Sequence, residues 1–329
     1  ERIVHARGSG AHGYFEAAGA FTVNRKGRKA TVTFTASPGT PHHYRNIAYA
    51  DSIGELDRQI ARAQKSSPLK PGDLYDLSTL TDERLRVVTQ LRNRGWYKLK
   101  DDDLEFTADT SAGDHLIDLT LRVKPATDAK KRAKYTIGDI YVHGDFDPLL
   151  PPNDTVAVDS MHYINTLNSY RPSTITRGVF LRKGRHYSER TEDNTVRYLS
   201  SFGVFKNVSV KYSEDSLTPG VLKTDVLLTP QKRWTLFTEL NAIAKSNNFV
   251  GPGLRGGFKD RELFRGAETF TADIHGHFET QVAGAQTGTN AYELGAKTAL
   301  QFPRIVPFNF LRTARASVPT TRIELGYGI

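Results

Sequence analysis

From Trp234 to the end of the chain, apolar and polar residues alternate with a period of two, the spacing of strands whose two faces meet different surroundings. Trp234, Leu236, Thr238, Leu240 and Ala242 alternate loosely with Thr235, Phe237, Glu239 and Asn241. Later stretches are stricter: Phe270, Ala272, Ile274 and Phe278 share one face, and Thr271, Asp273, His275, His277 and Glu279 the other. Tyr292, Leu294, Ala296, Leu300 and Phe302 alternate with Glu293, Gly295, Lys297 and Gln301, and Ile323, Leu325 and Tyr327 with Arg322, Glu324 and Gly326. Segments of about ten residues, apolar outward and polar inward, suit strands that cross an outer membrane as a barrel. A soluble antiparallel sandwich with one wet face has the same period, so periodicity alone leaves both open.

Before Trp234 the pattern is mixed. Thr81 to Arg94 places Leu85, Val88 and Leu91 at helical spacing, with Thr81 or Asp82 suited to the N-cap. Ser188 to Phe202 repeats this with Val196, Leu199 and Phe202. Glycine and aromatics close each stretch, as Gly95-Trp96-Tyr97 and Gly203-Val204-Phe205, and Gly13-Tyr14-Phe15 is a third copy. The glycine sits where a left-handed helix C-cap is needed. Strand pairs follow: Phe21–Asn24 with Ala30–Ala36, Leu104–Asp109 with Leu116–Val123, and Val208–Tyr212 with Val221–Leu228, joined by polar turns such as Ser111-Ala112-Gly113-Asp114. A further strand opens the later units, at Tyr44–Ile47 and Tyr135–Ile140, and Lys70–Tyr75 is echoed by Arg182–Tyr187. The recurring order is strand, helices, strand, strand.

Composition narrows the class. A chain of 329 residues with 38% hydrophobic, 10% aromatic and 25% charged residues should fold as several domains. No window approaches the roughly 18 apolar residues of a spanning helix, so any membrane span is expected to be β. Glu1-Arg2-Ile3 carries no signal-peptide pattern and the single methionine is Met161, so the sequence reads as a mature or trimmed chain. With no cysteine there is no disulfide, thiolate metal site or cysteine nucleophile. The net charge of +9 comes from basic residues interleaved with acidic ones rather than gathered in a stripe, which argues against nucleic acid.

On these residues the chain resembles the POTRA (polypeptide-transport-associated) domain, whose βααββ order and glycine-aromatic helix end match all three copies. The resemblance covers residues 1–231: 1–36 as the C-terminal part of one repeat, 37–125 as a second, and 126–231 as a third with an insertion at 145–173. Residues 232–329 resemble the first strands of an outer-membrane barrel in the BamA/TamA assembly superfamily. Gly251 to Glu268 is similar to that family's second and third barrel strands with their tight turn, Leu263-Phe264-Arg265-Gly266-Ala267-Glu268 standing for its N-L-F-G-G-G-E type. Phe302-Pro303-Arg304-Ile305-Val306-Pro307-Phe308 resembles a segment of TamA-like lipoproteins of Bacteroidota.

The resemblance implies an α+β fold of POTRA repeats followed by a truncated transmembrane β-barrel, in the outer membrane of a Gram-negative cell with the repeats in the periplasm. It implies a protein-insertion factor, not an enzyme, without cofactor or metal. Its partners would be unfolded outer-membrane protein clients, outer-membrane lipid and periplasmic or inner-membrane accessory subunits. Clients would add strands by β-augmentation at Leu104 and Phe106, at Val208 and Val210, and at the first barrel strand through Trp234, Leu236, Thr238 and Leu240. On the barrel, Leu254, Phe258, Phe270, Ile274, Phe278, Leu294 and Leu325 are expected to face lipid, and Arg255, Lys259, Asp273, His275 and Glu293 the lumen. About five of the family's strands are present, and closure would need more. Two rivals stand beside this: a secretion pore of the same superfamily, and a soluble envelope enzyme or carbohydrate-binding protein whose residues 234–329 form a sandwich around Asp273 and Glu293. Other motifs carry less. His275-Gly276-His277 puts two imidazoles on one face without further ligands, and Gly251-Pro252-Gly253 lacks the strand-to-helix setting of a phosphate loop.

Overall fold

The computed structural model describes residues 2–5, 12–50, 54–111, 113–246, 248–282, 290–307 and 319–329; Glu1, Ala112 and Phe308, named above, lie outside them. The fold is α+β, and the chain divides into two compact units, 1–135 with 186–189, and 136–185 with 190–329.

The first unit opens with β1 (Arg2–His5), β2 (Ala18–Lys26) and β3 (Lys29–Ser37), an antiparallel sheet in that order. There follow β4 (His43–Tyr49), α1 (Glu55–Ala63), α2 (Leu77–Arg92), β5 (Leu104–Asp109), β6 (Leu116–Val123) and the single turn α3 (Ala129–Arg132). The second sheet has the order β4-β6-β5, with β4 parallel and β5 antiparallel to β6. Central β6 is buried on alternate residues, including Leu119 and Leu121, and packs with Ile60, Leu91, Trp96, Leu99 and Leu104.

Helix α2 begins earlier than the apolar spacing predicts. Asp76, not Thr81 or Asp82, is its N-cap, its carboxylate accepting from the Thr79 amide at 2.8 Å. The buried face is then Leu80, Val87, Val88 and Leu91, with Leu85 exposed. Glu83 is buried on the same helix because Arg86 Nη2 donates to it at 2.6 Å and Tyr49 also donates its hydroxyl. Burial, with that bond second, pushes the Tyr49 hydroxyl pKa up.

The second unit contains β7 (Thr136–His143), β8 (Asp154–Val158), β9 (Met161–Asn165), α4 (Pro172–Thr176), α5 (Glu189–Ser200, whose first residue belongs to the first unit), β10 (Phe205–Glu214) and β11 (Val221–Pro230). Their sheet has the order β10-β11-β7-β9-β8, with β7 parallel and β10 antiparallel to β11. The core of β10-β11-β7 therefore repeats the arrangement of β5-β6-β4. Residues 145–173 are more than a loop: they form the β8–β9 hairpin, which joins the sheet along β7. Gly13, Gly95 and Gly203 all take positive φ, at 81°, 115° and 70°, a backbone that a side chain would strain.

The last sheet is β12 (Trp234–Ala244), β13 (Phe249–Asp260), β14 (Thr269–Gln281), β15 (Asn290–Phe302) and β16 (Thr321–Gly328), each antiparallel to the next. Among the described residues it is an open sheet with β12 and β16 at its ends, and no barrel closes.

Candidate functional site

The register of the last sheet sorts its residues into two faces. Leu236 lies opposite Phe258, Phe258 opposite Ala272, Ala272 opposite Thr298 and Thr298 opposite Leu325. The next rows give Leu240, Leu254, Gly276 and Leu294, and Thr238, Gly256, Ile274, Ala296 and Tyr327. This face is apolar across every strand and open: Leu240 is 79% exposed, Ile274 69% and Leu325 72%. Among the described residues no second layer covers those side chains, as the sandwich alternative would require.

The opposite face is polar and glycine-rich. Arg255 donates Nε and Nη2 to Asp273 at 2.8 and 3.0 Å, its guanidinium lying over the Phe237 ring, and Lys245 pairs with Glu279 at 2.6 Å. A Cβ on Gly257 would fall 2.4 Å from the Phe237 ring and one on Gly295 2.5 Å from His275, so glycine makes room for the large side chains beside it. Arg255, Asp273, His275 and Glu293 thus lie on the face opposite Leu254, Ile274 and Leu325. Asp273 is tied to Arg255 by two hydrogen bonds, whereas Glu293 is exposed and lies 3.9 Å from His275, beyond hydrogen-bond distance. The His275 and His277 rings are 5.6 Å apart, and the described residues contain no group of three or more ligands able to hold a metal.

The eight candidate client-binding residues fall on three sheets. β5, β10 and β12 are each the outermost strand of their sheet among the described residues. Leu104 and Val208 are buried, and Phe106 packs partly against the core, so these side chains hold their strands in place and what they leave to a partner is the backbone edge. On β12, Trp234, Leu236 and Leu240 are exposed on the apolar face together with Thr238.

Sequence reasoning missed a junction at the β13–β14 turn. Glu268 is 2% exposed and accepts from the Gly266 amide at 2.8 Å and from Arg304 at 3.3 Å. The Arg171 amide donates to the Arg265 carbonyl at 2.8 Å, and the Arg265 guanidinium donates to Asn168. Asp145, also buried, accepts from the amides of Thr166, Leu167 and Ser169 at 2.7, 2.8 and 3.2 Å and so shapes the segment that meets the turn. Half-buried Glu262 in the turn has its carboxyl pKa raised, chiefly by desolvation. The available signal was local and slight: Asp145 follows Gly144 and Glu268 follows Gly266-Ala267, acids directly after small residues where the chain turns.

No protein-family model matches the chain, and no curated protein matches it by sequence. Among solved structures it is similar to POTRA domains 3–5 of BamA from Haemophilus influenzae, at 17% identity and a TM-score of 0.40, over 66% of this chain and 74% of that one. It is also similar to Haemophilus ducreyi BamA lacking POTRA domains 1–3, at 12% identity and a TM-score of 0.44, over 87% of this chain and 51% of that one. CdiB from Acinetobacter baumannii is a third, at 8% identity and a TM-score of 0.32, over 87% of this chain and 53% of that one.

Proposed function

We propose that the protein inserts or assembles proteins in the outer membrane of a Gram-negative bacterium, with POTRA-like repeats at 37–125 and 126–231 in the periplasm and residues 232–329 supplying barrel strands. Residues 1–36 are the end of a preceding repeat in this reading. The observation that carries it is the apolar face of β12–β16, continuous in register over five strands and open to the surroundings. In water such a patch favours aggregation, whereas in a bilayer it is the surface a barrel strand needs. Within the superfamily, Phe302-Pro303-Arg304-Ile305-Val306-Pro307 favours the TamA-like lipoprotein branch.

The work is done by hydrogen bonding, not by covalent catalysis. An extended client segment would add to the outer edge of β5 or β10, and a nascent membrane strand to β12. Main-chain pairing tolerates many client sequences because every residue but proline offers the same donor and acceptor. Accessory subunits would dock on the periplasmic repeats.

The absence of cysteine makes the test clean. Single cysteines at Thr238 or Leu240, and at half-buried Val210, should form disulfides with a cysteine-bearing client while it is being assembled. If assembly proceeds normally and neither edge traps a client, the proposal fails.

A further inference from the structure

The insertion adds more than a hairpin. β7, β9 and β11 run parallel, so their C-terminal ends lie together at the end of the sheet where the chain passes from β11 into β12. Residues 144–153 and 166–171 leave the sheet at that same end and meet the β13–β14 turn through Arg171, Asn168 and Arg265. Three leucines of these segments face outward: Leu149 is 88% exposed, Leu150 43% and Leu167 57%. Phe264 in the turn and Trp234 at the start of β12 are exposed at the same end. The segments are held in place while presenting these residues, since Asp145 organises them through three backbone amides.

Charge at this end is sorted by depth. Asp145, Asp260 and Glu268 are buried and used internally, Asp260 by Arg233 and the Glu262 amide. Arg171, Lys232, Arg233 and Arg265 are exposed, and although Asp154 is exposed too and Asp147 and Glu262 are half-buried, the outward excess is basic. Leucine tips surrounded by outward cations match the boundary of an anionic leaflet, where apolar side chains enter among the acyl chains and basic ones meet phosphates.

We propose that residues 144–153 and 166–171 form a foot resting on the phospholipid leaflet at the turn end of β12–β16, with Leu149, Leu150 and Leu167 dipping below the headgroups and Arg171, Lys232 and Arg265 facing phosphate. This rests on the reading that β12–β16 cross a membrane. The foot fixes the height of the β7–β11 sheet, and hence of the β10 edge, above the bilayer. Leu167 and Phe264 are the sequence neighbours of the hydrogen-bonded Asn168 and Arg265, so this end of the segment adjoins the sheet whose apolar face begins at Trp234, which favours lipid over a protein partner.

The test uses the whole chain in nanodiscs of phosphatidylethanolamine and phosphatidylglycerol whose acyl chains are brominated near the headgroup in one preparation, to reach the labels at 149 and 167, and near the chain ends in another, to reach the label at 274. Single-cysteine variants L149C, L167C, I274C and S160C carry a bimane label, Ile274 reporting the membrane-spanning face and Ser160 the far end of the β8–β9 hairpin. The foot predicts that the labels at 149 and 167 lose about half of their emission relative to unbrominated lipid, while the label at 160 stays bright. If the label at 274 is quenched and those at 149 and 167 are not, the foot is wrong and the membrane reading stands, with a protein partner for the leucines. If the label at 274 also stays bright, both are wrong.

Discussion

Glu268 and Arg304 meet at the turn end of the last sheet, Arg304 Nη2 donating to Glu268 Oε1 at 3.3 Å while Oε2 accepts from the Gly266 amide at 2.8 Å. Arg265 and Ala267, on either side of Gly266, take φ of 58° and 62°, so the carboxylate holds together a turn that its own residues do not favour. Glu268→Ala leaves the amide and the guanidinium without this partner, at a cost of about 1–3 kcal/mol. Hydrogen exchange over residues 261–268 should accelerate accordingly, and Glu268→Gln, which keeps an acceptor for the amide, should lie in between. Unchanged exchange in Glu268→Ala would remove this carboxylate as the organiser of the turn.

Asp76 gives a pH dependence. Hydrogen bonds from the side chains of Ser78 and Thr79, and then from the Thr79 amide, hold its carboxyl well below the usual carboxylate range. A depressed folded pKa means that the stabilisation is present above the unfolded value of about 4 and is lost as pH falls through the folded one. Asp76→Ala should cost about 1 kcal/mol at neutral pH. Comparing amide exchange at the start of α2 between variant and wild type, the difference should be full at pH 7 and shrink only in strong acid. A difference that grew with acid would contradict the assigned cap.

Much of the strand framework was legible because alternation survives where one face is apolar. Leu104–Asp109 and Leu116–Val123 have the predicted limits, and β12 starts at Trp234, where the alternation begins. The start of α2 was not legible, since Leu77 and Leu85 are apolar yet exposed and Asp76 acts through a side-chain bond that periodicity does not register. The β8–β9 hairpin escaped because β8 is exposed at nearly every position and so has no apolar face to reveal it. Of the candidate site, the strands could be read and the separate roles of their side chains could not: burial of Leu104 and Val208 depends on partners distant in sequence, as does the Glu268–Arg304 pair.

Gly144 tests how the insertion is anchored. A Cβ there would lie 1.7 Å from the Tyr163 hydroxyl and 2.2 Å from Cζ, and Tyr163 is fully buried on β9. The ring has no room to swing away, so Gly144→Ala should push β9 off β7 at a cost of about 1–3 kcal/mol, the usual range for overpacking a core. Limited proteolysis should then cut within 145–171 while leaving 37–125 intact. The double variant Gly144→Ala, Tyr163→Leu relieves the collision with the hydroxyl and should recover most of the protection. Failure of that rescue would mean that the backbone at 144, and not the ring, sets the requirement.

The two faces of the last sheet give the most direct contrast. Ile274 lies near the middle of β14, 69% exposed, with Gly256 and Ala296 opposite it on the neighbouring strands. If this face meets acyl chains, Ile274→Arg places a guanidinium near the bilayer midplane and should destabilise the inserted state by about 2–4 kcal/mol. Glu293 on the opposite face exchanges one charged group for another in a polar setting, so Glu293→Arg should change stability by less than about 1 kcal/mol. Folding titrations into lipid vesicles in urea measure both. Because the arginine introduced is the same, its helix or strand propensity and its bulk largely cancel in the comparison, and what remains is the solvent each face meets. A loss for Ile274→Arg that persists in detergent-free buffer, with the chain monodisperse, would instead place protein against this face. Equal small effects at both positions would mean that water bathes both sides of the sheet, and the membrane reading would fall.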